Sequence, residues 1–434
     1  MAATETRTRG LMQYLPVAAG AILICAHLIA ANDVEIWTFD RIDRIGGRPT
    51  TVEGNPRLID TPVGKAVEFD GVDDALFVDA HPLAGATAFT WEAVFRPDGG
   101  QEAQRWLHLQ ESDTESRMLF ELRVTNGKWY FDSYVHSGES SKALADRTKV
   151  HPVLAWYHVA AMYDGREFRN YVNGVQEGAA EIRFDPQKAG HSSIGVRINR
   201  VNYFKGAIHS VRFTRRALVP GEFLKVAGTW KEVSFPTEDG GTIYGDLYGT
   251  GSRGVVLAHG GRFDKASWGE QAYALMKAGF RVLAIDLRGY GWSRGPGQSD
   301  IFSAPLHHDV LAAIRYLRKS GVGTVSLIGA SLGGGAIGGA ALDAGAGDID
   351  RIVFLASSPP RPLETLKART LFIVARDDTS GDGPRLPGIR AAYEKAPDPK
   401  ELVILDGDAH AQFLFATDQR ERVMSEILRF LSAR

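Results

Sequence analysis

Apolar and polar positions follow two different rhythms along the chain. From Trp37 to Val219 the apolar residues alternate or cluster in short runs, such as AFTWEAVF (88–95), KWYFDSYVH (128–136) and YHVAAMY (157–163). β-Branched and aromatic residues fill these runs, and no helical period of 3.6 passes through the region. Asp164-Gly165 and Asn173-Gly174 stand between runs, where glycine accepts the positive φ that a tight hairpin demands. This pattern predicts an all-β jelly-roll sandwich. From about residue 231 the rhythm changes. GVVLAHG (254–260), RVLAIDLRG (281–289), TVSLIGAS (324–331), RIVFLASSP (351–359), TLFIVARDD (370–378) and ELVILDGDAH (401–410) are apolar runs that end in small or polar residues. Strands buried on both faces of a parallel sheet look like this. Between them SWGEQAYALMKAG, HHDVLAAIRYLRKS and GIRAAYEKA carry helical spacing. Alternating strand and helix predicts a doubly wound sheet with its site at the carboxyl ends of the strands. The expected division is a multidomain chain: 36–228 for the β-sandwich and 229–434 for the α/β half.

Residues 1–35 stand apart. Arg7 and Arg9 precede LMQYLPVAAGAILICAHLIAA (11–31), which holds no Asp, Glu, Lys or Arg. About 20 apolar residues cross a bilayer as a helix, and basic residues keep the preceding end in the cytoplasm. Two outcomes are expected: a transmembrane anchor, or a signal peptide cut near Ile29-Ala30-Ala31. Either leaves the rest of the chain outside the inner membrane, anchored or exported. The 434 residues carry a net charge of −2, so the basic footprint of a nucleic-acid binder is missing. Cys25 is the one cysteine, which excludes an intrachain disulfide and a cysteine zinc cluster.

Candidate chemistry concentrates in the α/β half. In VSLIGASLGGG (325–335) an apolar strand runs directly into Ser331, and a small-residue helix follows. A nucleophile elbow needs this context, with small residues two positions either side; Gly329 and Gly333 meet that demand. A serine hydroxyl needs a general base. His410 follows the last strand run and Asp378 ends the one before it, so His410 is the candidate base and Asp378 the candidate orienting acid. Asp377 competes with Asp378 for that role. The developing oxyanion needs donors: the N–H of Leu332, directly after the serine, and that of Gly261 in the early HGGRF loop (259–263). His259 reads as part of the HG turn, His307 and His308 as first residues of a helix, and Asp286 and Arg288 as braces between strand and loop. Gly334, Gly335, Gly338 and Gly339 read as packing glycines. GGGAIG (333–338) spells a formal GxGxxG, but its turn is taken by Ser331, which argues against phosphate binding.

HGG, DLRGYGWS (286–293), GASLGG, ARDD and DAH, in this order, resemble the α/β-hydrolase superfamily over residues 232–434. The order Ser331, Asp378, His410 is the one that family uses. The resemblance reaches compact, lidless esterases and the dienelactone hydrolase-like and peptidase-like branches, and it implies no metal or organic cofactor. In the other half, AVEFDGVDDALFV (66–78), WYHVAAMYDGREFRNYVNGV (156–175) and FKGAIHSVRFTRRAL (204–218) resemble laminin G-like, concanavalin A-like jelly rolls. That resemblance implies a glycan or protein ligand, and in some members calcium. His209 stands where members often carry an acidic residue, which puts an inherited calcium site in doubt. Asp70, Asp73 and Asp74 are either oxygen ligands or turn residues. Glycosidase relatives carry a Glu-x-Asp-x-x-Glu cluster that is missing here. Trp129 and Tyr203 are either sugar-stacking or core aromatics.

The expectation is therefore a serine hydrolase acting on a small ester or acyl substrate, with a carboxylic ester favoured. A peptidase of the same fold is the alternative within the enzymes. An adhesion protein with an inactive hydrolase half is the alternative outside them.

Overall fold

The computed structural model describes residues 33–345, 347–358 and 363–433. The apolar stretch 11–31 lies outside the described residues. Among the described residues no helix is long and apolar enough to cross a membrane.

Two antiparallel sheets form the N-terminal sandwich. One runs in the order Val175–Glu181, Glu167–Val172, Tyr157–Tyr163, Phe89–Pro97, Lys205–Thr214, Gly64–Asp70, Arg57–Thr61, with Val34–Thr38 also paired to Lys205–Thr214. The other is centred on Lys128–Ser137, Arg117–Thr125 and Ala103–Glu111. Alternation sends one side of each strand inward. Met118, Phe120 and Leu122 join the core, and Leu119 and Glu121 turn away from it. Aromatic rings fill the space between the sheets. Phe95 stacks on Trp106 with centroids 4.3 Å apart, and Trp91 stacks on Phe120 at 3.8 Å. Trp129 is fully buried in this core, so of its two readings packing holds.

The α/β half has eight strands: β1 (Trp230–Pro236), β2 (Thr242–Tyr248), β3 (Arg253–Ala258), β4 (Phe280–Ile285), β5 (Thr324–Ala330), β6 (Arg351–Leu355), β7 (Arg369–Ala375) and β8 (Lys400–Leu405). Its helices are α1 (Gly269–Lys277), α2 (His307–Lys319), α3 (Leu332–Asp343), α4 (Leu386–Lys395) and α5 (Arg420–Ser432). The sheet order is β1-β2-β4-β3-β5-β6-β7-β8. β1 and β2 pair antiparallel and all pairs from β4 to β8 are parallel. Parallel strands need crossovers, and α1, α2 and α3 supply them with apolar faces on the sheet. Separate cores on the two faces of this sheet explain why its strands read as unbroken apolar runs.

The halves are fastened to each other. Glu68 of the sandwich receives a two-pronged pair from Arg420 of α5, both bonds 2.6 Å. Buried Arg96 meets Glu270 of α1 at 2.8 Å, and the Trp156 indole N–H donates to the same carboxylate at 2.9 Å. The Lys205 ammonium donates to the Ala416 carbonyl at 2.7 Å.

Candidate active site

β5 ends at Ala330, and Ser331 turns the chain into α3 with φ 49° and ψ −110°. A non-glycine residue held at positive φ costs about 1–3 kcal/mol, which the surroundings must hold. They do so by contact. A Cβ on Gly329 would lie 2.5 Å from the Gly333 carbonyl oxygen, and one on Gly333 only 2.2 Å from that of Ala258. Both elbow glycines are thus required by space. Ser331 N–H donates to the Leu355 carbonyl at 3.0 Å, which ties the turn to β6.

The three candidate catalytic side chains meet. Ser331 Oγ lies 2.8 Å from His410 Nε2, and His410 Nδ1 lies 2.8 Å from Asp378 Oδ2. Asp378 is fully buried, whereas Asp377 is exposed, so Asp378 and not Asp377 is the acid at the histidine. Arg385 Nε stands 3.4 Å from the second Asp378 oxygen.

Gly261 and Leu332 line up beside the serine. Gly261 and Ser331 border the same cleft, and a Cβ on Gly261 would be 3.8 Å from Leu332 Cδ2. Tyr290 hydroxyl donates to the Gly261 carbonyl at 2.9 Å and fixes that loop. His259 is fully buried. It accepts the Leu287 N–H at Nε2 (3.2 Å), with Nδ1 2.9 Å from the Gly260 carbonyl, and burial pushes its pKa below the ordinary value. It is a turn brace, as the sequence suggests. Arg288 is likewise fully buried, held by Asp309 and Asp239 at 2.6 Å each. Burial raises the Asp286 carboxyl to about 6.

Several residues at the site carried no sequence signal. Gln412 is fully buried and accepts the Gly260 N–H at 2.6 Å, while its amide donates to Ser267 at 2.6 Å. It couples the His410 loop to the HGGRF loop. Phe413 and Phe263 pack ring against ring at 4.8 Å, and both join the aromatic core of the sandwich. A Cβ on Gly127 would lie 2.1 Å from the tip of Phe413. The cleft itself has a volume of about 850 Å³, and Arg262, Arg385, Asp408 and the exposed Phe302 reach it.

Residues 254–394 match the family described as alpha/beta hydrolase fold, and residues 70–223 match the concanavalin A-like lectin/glucanases superfamily. The chain joins a concanavalin A-like domain to an alpha/beta hydrolase domain. The hydrolase part is 31% identical over 130 residues to a non-heme haloperoxidase of Rhodococcus erythropolis, covering 29% of this chain and 44% of that protein. It is 34% identical over 124 residues to bifunctional epoxide hydrolase 2 of Sus scrofa, covering 27% and 22%. The chain thus spans less than half the length of these curated relatives. Among solved structures, the esterase RhEst1 from Rhodococcus sp. ECU1013 is 21% identical, with 47% of this chain and 99% of that one covered and a TM-score of 0.39.

The acidic cluster of the concanavalin A-like domain is built as a turn. Asp74 accepts the N–H groups of Asn55 (2.5 Å) and Asp70 (2.9 Å), one on each oxygen. Asp70 Oδ1 accepts those of Val72 (2.7 Å) and Asp73 (3.2 Å). Asp70, Asp73 and Asp74 each bring a carboxylate oxygen within 4.8 Å of the others, and the backbone donors on Asp70 and Asp74 account for the turn without an ion.

Proposed function

We propose that the chain is a serine hydrolase that cleaves carboxylic esters through an acyl-enzyme. The carrying observation is the unbroken relay from Ser331 Oγ through His410 to buried Asp378, opening on a cleft. His410 takes the hydroxyl proton at Nε2 as Ser331 Oγ bonds to the ester carbonyl carbon. Asp378 holds the imidazole tautomer and stabilises its cation. The N–H groups of Gly261 and Leu332 receive the oxyanion, each donor worth about 3 kcal/mol in such sites. The tetrahedral species collapses, His410 returns the proton to the departing alcohol, and water then repeats the sequence to free the acid. Hydrolysis by this route needs no metal or organic cofactor. The concanavalin A-like domain, in this reading, binds a glycan or protein ligand. In the same reading the apolar stretch 11–31 acts as an anchor or as a cleaved signal, with both domains outside the inner membrane.

A fluorophosphonate probe tests the chemistry. The wild type should label, and Ser331→Ala should abolish labelling without shifting the unfolding midpoint. A panel of short aryl esters should be turned over in preference to peptide amides. Amide turnover without ester turnover would replace the esterase reading by a peptidase. A folded wild type that does not label would leave a binding protein.

A further inference from the structure

The concanavalin A-like domain carries a second concave site, separate from the Ser331 cleft. On the strand Arg117–Thr125 the residues Arg117, Leu119, Glu121 and Arg123 point away from the core. Cross-strand pairing sets Arg105 and Asp132 on either side of Glu121. Arg197 closes the depression, which encloses about 250 Å³.

The charges here do not balance. Arg105, Arg117, Arg123 and Arg197 share the cavity with two carboxylates, Glu121 and Asp132. Glu121 binds Arg105 at 2.7 Å and Asp132 binds Arg123 at 2.9 Å, so those four compensate one another. Among the described residues the one carboxylate paired with Arg117 is Glu115, 78% exposed at the rim and 2.9 Å away; the same nitrogen also donates to the Glu115 carbonyl at 2.7 Å and lies 3.5 Å from His136 Nδ1. Such rim pairs are weak, because solvent screens them. Arg197 has no carboxylate within ion-pair distance among the described residues. Its Nε, and that of Arg117, are buried without a hydrogen-bond partner. Burial and the facing Arg117 and Arg105 push the Arg197 pKa down. Arg197 is half-buried with its Nε shielded from water and like charges beside it, a setting in which an anion would find unpaired donors.

We propose that this cavity binds an oxyanion (carboxylate, sulfate or phosphate) carried on a group no larger than a sugar ring, with Arg197 and Arg117 as its ligands. The planar fork of arginine matches the paired oxygens of all three groups. The size follows from the cavity, which is smaller than ordinary drug-sized sites of roughly 300–1,000 Å³. Tyr134, under the Arg117 guanidinium at 5.2 Å, supplies an aromatic floor. The proposal rests on the binding role given to this domain, and not on chemistry at Ser331.

Unfolding midpoints of the full chain test it, with glucuronate, glucose 6-sulfate, glucose 6-phosphate and glucose as probes. At least one anionic sugar should raise the midpoint saturably and glucose should not. The anion that binds tightest names the group. Arg197→Gln should weaken that anion by about tenfold or more, the value of one charged hydrogen bond pair. It should leave ester turnover unchanged and should not lower the midpoint of the free protein, because no ion pair among the described residues is removed. Arg117→Gln gives the same loss of binding if the first variant is poorly folded. No shift with any anion, or an equal shift in both variants and the wild type, overturns the proposal. A shift with glucose equal to that with glucuronate overturns the anion while keeping a glycan-binding domain.

Discussion

Two adjacent aspartates illustrate what a single position decides. Asp377 and Asp378 are indistinguishable by type, and the strand end alone leaves both open. The turn after β7 buries Asp378 against His410 and leaves Asp377 in water. Asp378→Asn should lower ester turnover by about 10⁴-fold, as expected when the histidine tautomer is lost, and Asp377→Asn should leave it near wild type. Steady-state kinetics on one aryl ester separates them. Asp286 gives a second test. Its pKa rises from the ordinary 3.8 to about 6 because the side chain is buried. The folded state therefore holds a proton that the unfolded state releases, so this group's stabilisation is complete below pH 3.8 and lost as pH rises through about 6. That shift corresponds to roughly 3 kcal/mol. Asp286→Asn should raise the midpoint at pH 7, leave it little changed at pH 4, and flatten the slope between, as read by thermal melts across pH.

At the level of elements, helix α3 shows how far a glycine run can be read. The sequence assigns Gly334, Gly335, Gly338 and Gly339 to close packing. A Cβ on Gly334 would lie 2.3 Å from Ser357 Oγ, and one on Gly339 would lie 3.0 Å from His307 Cβ of α2. Gly335 meets nothing within 4 Å, so packing does not account for it. Gly335→Ala should therefore stabilise by up to about 1 kcal/mol, and Gly334→Ala should destabilise, in denaturant titrations. The strands, the elbow and the order of the three site residues were legible because each is written in a local run. Gln412 was not. Its partners Gly260 and Ser267 lie roughly 150 positions away, and nothing in AHAQF signals that its side chain reaches them. Phe263 and Phe413 were missed for the same reason, since their packing depends on a surface supplied by another domain.

For the whole molecule, the contact between domains falls on the two loops that build the site. Phe263 lies in the loop of Gly261, and Phe413 lies three residues after His410. Both insert into the sandwich core, and Arg262 donates to the Asn126 carbonyl at 3.3 Å. Phe413→Ala should lower stability by about 2 kcal/mol, part of the usual cost of a buried phenylalanine because this one is half-buried. It should also slow fluorophosphonate labelling. A lower midpoint with unchanged labelling would assign the contact to stability alone.

The place where the halves are joined also limits how such a protein can be recombined. Domains linked by a tether can be exchanged freely, because each keeps its own finished surface. Here the hydrolase loops are finished by a neighbour's aromatic interior. A hydrolase half transplanted without its partner would expose Phe263 and Phe413 as an apolar patch beside Ser331. Engineering or evolution would have to replace the pair together, or rebuild both loops first.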